Sequence, residues 1–251
     1  MIKIPELKEL LAAGLHFGHK PTAWNPKMGQ FLFGARSGVH VFDLEKTKEM
    51  LARAVEQVER SVALGGTILF VGTKPQAKEI IKKYALEAGV PFVTERWLGG
   101  TLTNFGEIRR LMRKYEQLTK DAGSDDYEQK YTKKERLDFS EEIKKLEKNI
   151  GGILTLNKLP DLVFVASAHE NIIAVKEAKQ CEIPVVGVCD SNVNPELVDY
   201  CIPGNDDATK AIELVASLMA EAVKAGKKEL EKNTAKKAEA KNKEAEAKET
   251  K

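Results

Sequence analysis

The sequence is poor in the features that most quickly assign a chemistry. It has three cysteines, Cys181, Cys189 and Cys201, in 251 residues. They are too few and too scattered for a disulfide framework and lack the close pairs of a zinc site, so reduced, mostly buried thiols are expected. No apolar run reaches the roughly 18 residues a membrane span requires. The first 15 residues carry two acids in a short amphipathic pattern, unlike a signal peptide, and the expected location is cytoplasmic. An excess of one charge is also missing. Lys and Arg number 40 against 38 Asp and Glu, a formal net of +2, so bulk electrostatics selects no partner. The chain is nevertheless 42% hydrophobic, enough to bury a core in one large domain or two small ones.

Catalytic signatures are absent as well. There is no GxSxG elbow, no HExxH helix, no evident Cys/His pair and no glycosidase-like carboxylate pair. GxGxxG does not occur. The turn Val71-Gly72-Thr73-Lys74-Pro75 looks like a phosphate loop but fails the Walker pattern, because five residues separate Gly66 from Gly72 and Thr precedes Lys. What it offers is a helix N-terminus with the Thr73 hydroxyl and Lys74, suited to one phosphate of a nucleic-acid backbone.

Charge is unevenly distributed along the chain. Residues 1–103 carry +4, 104–150 +1, 151–226 −6 and 227–251 +3. A basic front half and an acidic back half suggest one face for phosphate and another for basic partners, including proteins.

Periodicity gives the organisation. Leu7, Leu10 and Leu11, with Pro5 before and Gly14 after, predict an opening helix. Residues 15–30 read as a loop. FLF at 31–33 and VHVF at 39–42 flank a turn with Gly34 and Gly38, a β-hairpin. Asp43 caps a helix whose apolar positions recur near 3.6 up to Gly65. Strands at Thr67–Val71, Phe92–Thr94, Asp161–Ala166 and Ile183–Val188 then alternate with helices, and a last helix is expected from about Asp206 to Ala225. Apolar strands between amphipathic helices predict an α/β fold, a Rossmann- or flavodoxin-like, mostly parallel sheet flanked by helices. Functional loops belong at the carboxyl ends of such strands.

Residues 104–150 interrupt this rhythm. Ile108, Leu111, Tyr115 and Leu118, then Phe139, Ile143, Leu146 and Ile150, form two a/d seams around a polar turn, an inserted antiparallel coiled-coil hairpin. Its arms would project about 25 to 35 Å. The expected division is therefore 1–103 and 151–226 for the α/β domain, 104–150 for the insertion, and 227–251 for a charged tail, frayed or disordered.

Two segments carry candidate site residues. His16 and His19 lie three apart and could ligate a metal if Asp190 or Asp206 approaches. Two histidines do not define a metal centre, so no cofactor is expected beyond a structural zinc or magnesium on those four residues. The string Glu95 to Phe105 joins Arg96 and Trp97 to a Gly-Gly pair and then to alternating hydroxyls, with Asn104 as a helix cap. Arg96 suits phosphate, and Trp97 suits packing at the base of the arm.

These strings, AGLHFGHKPTAWNPKM (13–28), ILFVGTKPQA (68–77), RWLGGTLTNF (96–105), KLPDLVFV (158–165), IPVVGVCDSN (183–192) and IPGNDDATKAI (202–212), closely resemble the family of the second protein of the small ribosomal subunit, in its bacterial form. The likeness covers nearly all of the chain except the tail. One departure is Asn194, where many members have an acid, which weakens any carried-over cation site. The resemblance implies a non-enzymatic component of the 30S subunit, added late in assembly, that contacts 16S ribosomal RNA between head and body and gives ribosomal protein one a docking place. It implies RNA contacts at His19, Lys20, Trp24, Asn25, Lys27, Thr73, Lys74, Arg96 and Thr103, with neighbouring small-subunit proteins as partners and neither membrane nor small-molecule substrate. The alternatives are an α/β enzyme or nucleotide-binding protein using the carboxyl-edge crevice, and an arm that is itself the main binding module.

Overall fold

The computed structural model describes residues 2–124 and 127–249, with side chains left aside at 128, 129 and 235–249. Five parallel strands form the central sheet: β3 (Ile68–Val71), β4 (Phe92–Val93), β5 (Leu162–Val165), β6 (Val185–Cys189) and β7 (Tyr200–Pro203), in the spatial order β4-β3-β5-β6-β7. Strands β1 (Leu32–Arg36) and β2 (Val39–Phe42) pair antiparallel as a separate hairpin.

Side chains alternate across the strands, and two cores follow from that period of two. Ile68, Phe70, Leu162, Phe164 and Val186 face α1 (Leu7–Ala13), α2 (Leu44–Ala63), α3 (Lys78–Ala88) and α8 (Thr209–Glu249). Phe70 and Phe164 meet edge to face at 5.0 Å there. Leu69, Val71, Val163, Val165 and Val185 face α7 (Ile172–Gln180) and the roots of α4 (Phe105–Ala122) and α6 (Lys133–Ile150). Strands covered on both sides can be apolar throughout, as β3, β5 and β6 are.

The expected elements are present with several corrections. The DYCIP segment, not read as regular structure, is β7, in parallel register with β6 from Val186↔Tyr200 to Cys189↔Pro203. Its polar start and Pro203 conceal a strand with three buried residues. Within the loop 15–30, residues His16 to His19 run alongside β2 through bonds such as Phe42 N to His16 O (2.9 Å) and Gly18 N to His40 O (2.9 Å), and Pro21–Ala23 is a 3-10 turn. Gly34 lies in β1 and not in the turn. On α1, Leu10 is buried but Leu11 is 52% exposed.

Helices α4 and α6 pack on each other; of the expected seam positions Ile108 and Ile150 are buried and the others half-buried, and Met112 joins the buried set. Lys114 and Glu142 pair between the two helices. The short helix α5 (Tyr127–Lys130) lies in the connection, while Asp125 and Asp126 of the expected polar turn lie outside the described residues.

The last helix does not stop near Ala225. It passes through Gly226 to Glu249. Gly226 serves instead as a point of close approach: a β-carbon there would lie 2.6 Å from the Glu59 carbonyl oxygen and 2.7 Å from Val62 Cβ on α2. Gly226→Ala therefore has to push α8 off α2, a local overpacking that costs about 1–3 kcal/mol. A thermal melt should show the midpoint several degrees lower, and an unchanged midpoint would refute the close packing.

Candidate nucleic-acid interface

The order of the sheet reverses at β3, so the carboxyl ends of β3 and β5 form the point where a ligand crevice is expected. Polar side chains fill it. Lys74 Nζ donates to Asp206 Oδ1 at 2.6 Å and pairs with Asp207 Oδ1 at 2.7 Å. Ser167 Oγ donates to the other oxygen of Asp206 at 2.6 Å. The Thr73 hydroxyl donates to Asn171 Oδ1 at 2.8 Å, and Asn171 Nδ2 donates to the Ser167 carbonyl at 3.0 Å. Burial works against the charge on Lys74, but its hydrogen bonds to Asp206 and Asp207 outweigh it and hold the pKa above the ordinary 10.5. Burial raises the pKa of Asp206, and Lys74 and Ser167 only partly offset that. Thr73 and Lys74, the expected phosphate contacts, are thus engaged inside the protein.

A second knot lies at the end of β6. Buried Asp190 accepts from the backbone N–H and the hydroxyl of Ser191, and His19 Nδ1 lies 3.0 Å from its Oδ1. His19 N–H donates to Ser191 Oγ at 2.9 Å, and Asn25 N–H donates to the Ser191 carbonyl at 2.7 Å. The hydrogen bond with Asp190 raises the pKa of His19; burial opposes it, and the charges of Asp190, Asp206 and Asp207 add to it. His19, Asp190 and Asp207 bring their ligating atoms within 4.8 Å of one another, one imidazole and two carboxylates of the kind a divalent cation takes. The expected quartet is thus regrouped. Asp207 joins His19 and Asp190, Asp206 belongs to Lys74, and His16 lines a separate groove with Phe17 and Phe33.

These anchors hold the loop that follows His19. Asn25 Oδ1 accepts from Lys27 N–H at 3.0 Å and starts a 3-10 turn over Pro26–Phe31. Lys20 is exposed, Trp24 is 40% exposed, and Lys27 pairs with Glu196 at the surface.

The segment 96–105 is organised by a residue that sequence reasoning missed. Glu177, on α7 and 7% exposed, accepts five hydrogen bonds. Trp97 Nε1 (3.1 Å) and Gly100 N–H (2.8 Å) reach Oε1; Leu102 N–H (3.0 Å), Thr103 N–H (3.3 Å) and the Thr103 hydroxyl (3.3 Å) reach Oε2. Gly100 takes a left-handed φ of +87°, which closes the loop around the carboxylate. Burial pushes the Glu177 pKa up, but the donors from Leu102, Gly100, Trp97 and Thr103 prevail and hold it below the ordinary 4.5. Asn104, the expected cap of α4, makes no side-chain cap bond. Glu177 instead takes the N–H groups of Leu102 and Thr103, in the loop just before the helix. Trp97 is the packing anchor expected of it, Arg96 stays exposed, and Glu95 ties Lys78 (3.1 Å) to Lys148 of α6 (3.7 Å).

Against this geometry, the family model described as Ribosomal protein S2 matches residues 10–226. The chain belongs to the ribosomal protein S2 family. It is 46% identical over 221 residues to the small ribosomal subunit protein uS2 of Endomicrobium trichonymphae, covering 88% of this chain and 90% of that one. The same protein of Lawsonia intracellularis is 45% identical over 86% of this chain and 74% of its own length, and that of Desulfatibacillum aliphaticivorans 47% over 90% and 76%. As an S2-family protein the chain is a component of the small ribosomal subunit and not an enzyme. The matched region ends at Gly226, the contact between α8 and α2.

In this S2-family member, Glu177→Gln should keep the shape and set an amide N–H₂ against N–H donors, costing about 1–3 kcal/mol. A depressed carboxyl stabilises the fold fully above its ordinary 4.5 and loses that contribution as pH falls through the folded value. Urea unfolding should therefore show a gap between wild type and Glu177→Gln at pH 7 that narrows on acidification. A gap independent of pH would contradict the role given to the carboxylate.

Proposed function

We propose that this chain binds 16S ribosomal RNA between the head and body of the small subunit, in the cytoplasm, and that it carries a docking place for ribosomal protein one. The supporting observation is the carboxyl edge of the sheet. Its interior is closed by its own charges, while Lys20, Trp24, Lys27 and Arg96 stand exposed on loops anchored to it. Such an edge suits phosphate and shape contacts with a folded RNA better than a bound metabolite. The arm of α4 and α6, read as a coiled-coil hairpin, adds exposed Arg109 and Arg113. A protein partner is supported by the apolar groove of about 570 Å³ between α1 and the hairpin, where Leu11, Phe17 and Phe33 are 52%, 49% and 76% exposed. No described helix is long and apolar enough to cross a membrane.

Replacing Lys20, Lys27 and Arg96 together by Ala removes three exposed charges and should leave the fold intact. Cosedimentation with small subunits should weaken, and the slope of log binding against log salt should flatten by roughly 2 to 3. Lys74→Ala should behave differently. It leaves buried Asp206 without its cation and should cost about 3–5 kcal/mol of stability. Full retention of the triple variant on subunits at all salt concentrations would count against these contacts.

A further inference from the structure

The two edges of the central sheet are finished differently. At β7, Gly204 N–H donates to the Cys189 carbonyl at 3.1 Å, so the alternate residues Cys201 and Pro203 turn outward. Pro203 has no N–H to leave unpaired, and its carbonyl accepts from the Thr47 hydroxyl of α2 at 2.8 Å. At β4, the N–H groups of Phe70 and Gly72 donate to the carbonyls of Pro91 (3.0 Å) and Val93 (2.9 Å), which turns Phe92 and Thr94 away from β3. Neither of those two N–H groups has a partner among the described residues. Thr94 is only 8% exposed, and an unmet N–H at so buried a residue is costly. The Phe92 carbonyl is covered instead, since a β-carbon on Gly152 would lie 2.2 Å from it. What this edge offers is donors.

A cleft of about 500 Å³ runs along it, between α3 and the root of the arm. Lys82 of α3 and Lys144 of α6 stand exposed on opposite walls, without an ion pair among the described residues. Glu95 also lines the cleft but is taken by Lys78 and Lys148. Glu147 is left without a cation among the described residues, and Val93 and Leu154 add an apolar floor.

We infer that this cleft takes an extended acidic segment of a neighbouring protein as an added strand: its carbonyls accept from the N–H groups of Phe92 and Thr94, and its carboxylates pair with Lys82 and Lys144. Main-chain bonds to a free sheet edge supply the attachment in such complexes, and side chains supply the selectivity. Successive side chains of a strand point to opposite faces. Two adjacent acids therefore reach Lys82 on the α3 side and Lys144 on the α6 side. The matched stretch is about four residues, opposite 92–95, at roughly 3.3 Å each. A nucleic-acid strand fits less well, because it carries a charge at every nucleotide past Glu147 and has no peptide carbonyls for the edge. The inference is independent of the RNA contacts proposed for the loops.

The test uses the full-length chain and a labelled peptide in which two adjacent glutamates are flanked on each side by Val-Thr pairs. Fluorescence anisotropy should show binding, and the same peptide with two lysines in place of the glutamates should not bind. Lys82→Glu combined with Lys144→Glu, both surface changes, should keep the melting midpoint, weaken the glutamate peptide by about tenfold or more and favour the lysine peptide. Glu147→Gln should strengthen the glutamate peptide about two- to fivefold. Amide hydrogen exchange followed by NMR supplies the decisive readout. The glutamate peptide should slow exchange at Phe92 and Thr94 and leave Val93, already paired with β3, unchanged.

Equal binding of the lysine peptide, or charge-dependent binding without protection of Phe92 and Thr94, would overturn the added strand. Assembled small subunits give the second arm. With benzoylphenylalanine placed at position 82, photo-cross-linking should join the chain to an acidic stretch of another small-subunit protein. Adducts with RNA alone would assign the cleft to nucleic acid, and a lack of adducts would leave it empty in the particle; either result overturns the inference.

Discussion

Asp190 and Asp206 are each 1% exposed at the carboxyl edge of the sheet, and the local structure is arranged around neutralising them. Breaking a buried charge pair by removing one partner costs several kcal/mol, so each carboxylate dictates what must lie beside it. Asp206 has Lys74 from the loop after β3 and the Ser167 hydroxyl from the end of β5. Asp190 has His19 from the first loop and Ser191 next to it. Loops distant in sequence are thereby tied together where a doubly wound sheet otherwise opens a crevice. Hydrogen bonds offset part of the cost of burying Asp206, and polar side chains fill the space. The same fold that elsewhere supports nucleotide chemistry here becomes a platform.

Glu177 repeats the principle on the neighbouring segment. Its carboxylate is stabilised by N–H and O–H donors alone, without an ion pair among the described residues, and those donors belong to the loop that leads into α4. The arm therefore leaves the body from a fixed root, further held by Glu95 between Lys78 and Lys148. Interior charges that set loop geometry and exterior charges open to solvent are different populations. Lys74 and Glu177 belong to the first, and Lys20 and Arg96 to the second.

Much of this architecture was legible in the residues. The continuous apolar runs ILFV and LVFV and the period near 3.6 in α2 and α4 mark strands buried on both faces and amphipathic helices whatever their neighbours. Long-range partnerships were not. RWLGGTLTN stands out as a string, but the acid that it encloses lies 74 to 80 residues away, and nothing local distinguishes Glu177 from a solvated helix glutamate. The quartet was regrouped for a related reason: Asp206 and Asp207 both pair with Lys74, but it is Asp207 that also brings a carboxylate oxygen close to His19 and Asp190, which spacing alone does not resolve. The expected end of the last helix near Ala225 fell just before Gly226; glycine both ends helices and admits close packing, and only the position of α2 decides between them. β7 was hidden by its polar start and its proline.

The central claim is that the carboxyl edge, closed within, is the face turned to RNA. Ultraviolet cross-linking of intact small subunits, with peptide mapping by mass spectrometry, tests it most directly. RNA adducts should fall on residues 20–27 and on the segment at Arg96. Adducts confined to the opposite edge of the sheet, around Gly65, Gly66 and Lys158, would contradict it.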